Sequence, residues 1–93
     1  MGIDWFDVRF RLERTFDIRL RSAVFEHLWA ERRVADLTAG ELHDVVCALL
    51  RSQGRPVPLS SWNRIRRDLA EGLNVSPFAI RRSSWLIADL GMD

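Results

Sequence analysis

Apolar residues recur at helical spacing in four stretches of this chain, and nowhere do they alternate as a half-buried strand requires, so the fold is restricted to packed helices. The first stretch, Ile3 to about Phe16, carries two stripes. Ile3, Phe6 and Phe10 make one, and Trp5, Val8, Leu12 and Phe16 make the other on nearly the opposite side. Asp4 and Asp7 fall in its first turn, against the positive end of the helix dipole. One stripe can face the core; the other must be covered or left at the surface. Asp17-Ile18-Arg19-Leu20-Arg21 then reads as a loop with two apolar plugs.

A second helix is predicted from Ala23 to about Arg33, capped by Ser22, with Val24, Phe25, Leu28 and Trp29 inward. Thr38-Ala39-Gly40-Glu41 is a capping box, a hydroxyl at the cap and a carboxylate three residues on. It opens a helix through Leu42, Val45, Val46, Leu49 and Leu50 that ends near Ser52-Gln53-Gly54. Gly54-Arg55-Pro56-Val57-Pro58 is the clearest breaker. It joins elements and not domains, because neither side can bury a core alone. Ser60 or Ser61 caps the last long helix, with Trp62, Ile65, Leu69 and Leu73 on one face and Arg64, Arg67 and Glu71 outside. Asn74 is its expected stop. After a short turn at Ser76-Pro77, the rest is expected to be irregular, pinned by Phe78, Ile80, Trp85, Leu86, Ile87 and Leu90. The class is all-α with four helices in one domain, 1–93.

Composition excludes several functions. With 47% hydrophobic residues the chain is too apolar to be disordered, and no apolar run reaches the roughly 20 residues of a membrane helix. Asp4 sits where a signal peptide carries base, so a cytoplasmic location is expected and no membrane partner. Cys47 is the single cysteine. With only His27 and His43 beside it, it makes neither an internal disulfide nor a four-ligand zinc site, and is expected to be a small buried hydrophobe. All fourteen basic residues are arginine, yet the formal charge is only +1. Arg51, Arg55, Arg64, Arg66, Arg67, Arg81 and Arg82 crowd the second half, opposed mainly by Asp68 and Glu71. No metal or cofactor is implied. No nucleophile or paired-carboxylate motif accompanies the histidines, and His43-Asp44 directs adjacent side chains to different helix faces, so an enzyme is not expected. The four tryptophans are read as core.

The last third has a familiar pattern. Arg64-Ile65-Arg66-Arg67-Asp68-Leu69-Ala70-Glu71-Gly72-Leu73-Asn74-Val75, followed by Ile80, Ser84, Leu86 and Asp89-Leu90-Gly91-Met92-Asp93, resembles the first helix and long loop of acyl carrier proteins. In that family the loop runs to Asp-Leu-Gly-x-Asp-Ser-Leu, whose serine receives the 4′-phosphopantetheine arm. Gly2 to Ile18 is similar to the family's second helix, and Thr38-Ala39-Gly40-Glu41-Leu42-His43-Asp44-Val45-Val46 to the start of its last one. The resemblance implies a four-helix, acyl-carrier-protein-like bundle with circularly permuted chain order: 1–53 as the second half of the carrier fold, 54–61 as a new linker, and 62–93 as its first helix and long loop. Close termini permit such a rearrangement.

In that alignment Gly2, next to Asp93, takes the place of the serine. Glycine offers no hydroxyl for a phosphodiester, so the resemblance implies the fold without its carrier chemistry. Ser83 and Ser84 fall in the loop, away from the helix start that a transferase needs. The second helix is the family's acidic docking helix; here Arg9, Arg11 and Arg14 alter its charge, which weakens docking to basic partners. Its apolar docking positions remain as Ile3, Phe6 and Phe10. The expected function is therefore a non-catalytic protein-interaction module, with Ile3, Phe6 and Phe10 bordered by Asp4, Asp7 and Arg14 as the binding patch, a protein partner, and at most weak homo-oligomerisation. The first alternative is a genuine acyl carrier or lipid-binding protein. The second is a small nucleic-acid-binding domain, drawn from Trp62-Asn63-Arg64-Ile65-Arg66-Arg67 at a helix start; near-neutral charge and the lack of a long basic stripe oppose it, and no nucleic-acid partner is expected.

Overall fold

The computed structural model describes residues 2–93, and within them the chain forms four α-helices and no strand. α1 spans Ile3–Phe16, α2 Ala23–Trp29, α3 Ala39–Ser52 and α4 Ser61–Leu73, followed by a single 3₁₀ turn at Pro77–Ala79. The Cα radius of gyration is 12.4 Å, close to the roughly 12 Å of a compact single domain of this length.

α1 buries Trp5, Val8, Leu12 and Phe16, the i, i+3, i+7, i+11 stripe, and packs along α4. The two helices approach closely at Gly72, where an added Cβ would lie 2.8 Å from Val8 Cγ2. α1 ends at Asp17, left-handed at φ 53°. Its last carbonyls are satisfied from the linker, Arg55 donating to Phe16 O at 2.6 Å and to Asp17 O at 2.7 Å. A cation there also meets the negative end of the helix dipole. Ile18 and Leu20 are the buried plugs expected of the loop.

α2 stops at Trp29, four residues short of the expected end. Ala30, Glu31 and Arg33 are exposed and give another turn nothing to bury, and short helices depend on tertiary packing. Arg32 turns back instead, donating to Asp36 O and pairing with both oxygens of Glu41. Ser22 makes no side-chain cap. Phe25 is wholly buried, edge-on to Trp5 at 5.4 Å and stacked with Trp29 at 5.7 Å.

α3 opens with the Thr38/Glu41 capping box in full, and buries Cys47 among its apolar residues. α4 ends at Asn74, left-handed as expected. Its start differs from expectation. Ser60 makes no side-chain cap, and Ser61 lies inside the helix with its hydroxyl turned to His43.

The tail is tied to α3. Ala39 N donates to Ser84 O, Gly40 N to Arg82 O, and Leu86 N to Leu37 O, around an isolated antiparallel bridge between Thr38 and Trp85. Buried Asp36 gathers the N–H groups of Leu37, Ile87 and Ala88 on its carboxylate. Ile80 and Leu86 are buried as expected, but Phe78 is 87% exposed and pins nothing. The core reading of the tryptophans holds for Trp5, Trp29 and Trp62, which lie in or against the core, and fails for Trp85. Trp5 is buried, Trp29 and Trp62 are half-buried, and Trp85 is exposed beneath Arg32.

Candidate protein-binding face and chain-end junction

The two ends of the described chain meet. Asp93 O accepts from Asp4 N at 3.0 Å and from Trp5 N at 3.3 Å, while Asp93 N donates to Asp4 Oδ2 at 3.0 Å. The first N–H groups of a helix lack intrahelical partners, and Gly2 at the cap has no side chain to serve them. A carbonyl from the far end of the sequence supplies what a local cap would. The exchange with Asp4 is reciprocal, in the manner of a capping box. A Cβ added at Gly2 would lie 2.9 Å from the Asp93 carbonyl carbon. A side chain at position 2 therefore displaces Asp93.

From this junction α1 presents its second stripe outward. Ile3 is 80% exposed, Phe6 59% and Phe10 61%. Arg9 lies over the Phe6 ring at 5.2 Å and Arg14 over Phe10 at 5.7 Å. Such contacts bring little energetic gain when exposed, about 0.5–1 kcal/mol each. The polar residues expected to border the stripe divide. Arg14 stands on it. Asp4 is committed to Asp93, and Asp7 pairs with Arg11, whose guanidinium also reaches Glu71 on α4. Asp7 thus lies on the α1–α4 seam.

A second cluster was not legible in the sequence. His43 Nε2 is 2.7 Å from the hydroxyl of buried Ser61, and its Nδ1 is 2.6 Å from Arg82 Nη1. Arg82 Nη2 also meets Asp44 at 3.2 Å, and Trp62 covers the arginine at 5.3 Å. One arginine from the tail thereby joins side chains that adjacency on α3 had separated. The pair looks like a serine–histidine dyad, but its polarity is reversed. Arginine has no acceptor, so Nδ1 must accept and the neutral ring carries its proton on Nε2, where it donates to Ser61. A histidine in that tautomer cannot take the serine proton. Burial, then Arg82, lowers the His43 pKa and keeps the ring neutral. The cluster ties α3, α4 and the tail.

Asp68 on α4 is buried and accepts from Thr15 on α1 at 2.6 Å. Burial raises its pKa, against the opposing hydrogen bond from Thr15 and the charge of Arg67. Ser84 is buried, its hydroxyl accepting from Arg81 N, whereas Ser83 is exposed.

Between α2 and α3 lies an open groove of about 560 Å³, floored by Val24, Leu28, Val45 and Leu49, with Glu41 and Asp44 at its rim. Among the described residues no group of side chains has the composition of a metal site, and no helix is long and apolar enough to cross a membrane. Comparison with family models, with curated proteins and with solved structures finds no match for this chain.

Proposed function

We propose that this chain is a non-catalytic protein-interaction module of the cytoplasm, binding through the outer face of α1. The observation that carries the reading is the exposed Ile3/Phe6/Phe10 stripe, with two aromatic rings on one helix flanked by Arg9 and Arg14. Aromatic anchors dominate binding energy at interfaces, and contiguous apolar surface is uncommon on monomers without a use for it.

The permuted acyl-carrier-like architecture is part of the same proposal. It requires the Asp-Leu-Gly-Met-Asp tail to adjoin the start of α1, and the hydrogen bonds of Asp93 to Asp4 and Trp5 support it. In this reading Gly2 stands for the family's serine, and the close approach of Asp93 argues that the position favours glycine. The absence of catalysis is supported by the reversed polarity of the His43–Ser61 pair.

Incubation with a phosphopantetheinyl transferase and coenzyme A, read by intact mass, tests the loss of carrier chemistry. The expected mass is unchanged; a gain of one arm overturns the reading. A second reading, a lipid-binding protein, draws on the apolar groove between α2 and α3. It predicts saturable binding of dodecanoate.

A further inference from the structure

We propose that the outer stripe of α1 in one copy docks into the α2–α3 groove of a second copy, so that the chain associates with itself through two different surfaces. The proposal rests on the stripe being a protein-binding face and names its partner. A helix presenting anchors at i, i+3 and i+7 is the form that helix-receiving apolar grooves accept, and the volume of about 560 Å³ lies in the usual range of binding pockets.

Charge selects this pairing over the alternatives. Among the described residues Arg9 and Arg14 have no carboxylate partner, only the Phe6 and Phe10 rings. The rim of the groove carries two carboxylates, Glu41 and Asp44, beside His27. Glu41 is engaged by Arg32, but Asp44 is 73% exposed and meets Arg82 through one oxygen only, leaving the other open to a new cation. Seating Phe6 and Phe10 on Val45 and Leu49 brings their flanking arginines toward that rim. Stripe-on-stripe pairing would instead set the arginines of two copies against each other, and like charges across an interface cost affinity. A contact between unlike surfaces is heterologous.

Complementation tests it by sedimentation at rising concentration. Phe10→Asp removes the knob and keeps the groove. Ala48→Arg blocks the groove and keeps the knob, at an exposed position of α3 where arginine suits a helix. Each variant alone is expected to raise the dissociation constant at least about tenfold. Mixed in equal amounts, they are expected to form a one-to-one complex. Should Ala48→Arg fail to fold, Ser52→Arg at the exposed end of the groove replaces it. Three results overturn the proposal: a wild-type chain monomeric to about 1 mM, a mixture that stays monomeric, or association unchanged by blocking the groove. None of them removes the binding-face reading, which fails if Phe10→Asp unfolds the protein.

Discussion

Along α1 two apolar stripes run on opposite sides of fourteen residues, one built on Trp5, Val8, Leu12 and Phe16 and the other on Ile3, Phe6 and Phe10. The first meets α4, with Trp5 also against Phe25 of α2, and disappears from solvent. The second stays largely in solvent, with Arg9 over the Phe6 ring and Arg14 over Phe10. Hydrophobicity and periodicity treat the two alike. What separates them is whether another element of the chain arrives, and the difference marks which aromatic residues serve the fold and which are free to serve a partner.

The contrast is sharpest at Leu12. Leu12→Ala empties a fully buried site and is expected to cost about 2–5 kcal/mol, read as a lower denaturant midpoint with an unchanged slope. A loss below about 1 kcal/mol would mean that the inner stripe is not the core.

The seam against α4 comes next. Gly72→Ala sets a methyl against Val8. Overpacking of about 1–3 kcal/mol outweighs the roughly 1 kcal/mol that alanine gains in a helix. A net loss near 1 kcal/mol is expected, a drop in Tm of about 4–8 °C for a domain of this size. An unchanged or higher Tm would show the helices free to part.

Asp68 gives a smaller, pH-dependent effect. Its pKa is raised on folding, chiefly by burial, so the native state holds this proton more tightly than the unfolded chain. Its contribution is full below the ordinary carboxylate value of about 4 and is lost as pH rises through the elevated native value. Asp68→Asn keeps an acceptor for Thr15 and removes the charge. At pH 7 it is expected to match or exceed wild-type stability, with the advantage vanishing toward pH 3. A large loss at neutral pH would mean that the ionised carboxylate stabilises the α1–α4 seam.

Much of this arrangement is readable from residues alone. The bounds of α1, the capping box of α3 and the stop at Asn74 follow from local chemistry, and local chemistry is what one sequence displays. The inner stripe was recognisable as a stripe. That it and not its opposite would be buried depends on α4, some fifty positions away. The misses share a cause. α2 ends early because Arg32 turns to Glu41, Ser61 bonds His43 instead of capping its helix, and Arg82 joins His43 to Asp44 from the tail. Phe78 sits in a turn and stays 87% exposed, and Trp85 is left at the surface under Arg32. Each is decided by the presence or absence of a partner outside the element itself. The meeting of Gly2 and Asp93 was anticipated only through a resemblance that joins the two ends.

One substitution placed on both faces of α1 tests the central claim most directly. Thermal unfolding of Phe10→Asp is expected to fall within about 4 °C of wild type, since exposed sites change stability by roughly 0.5 kcal/mol. Leu12→Asp buries an unpaired charge and is expected to leave no cooperative transition. If Phe10→Asp also abolishes the transition, the outer stripe belongs to the fold and α1 has no face to offer a partner.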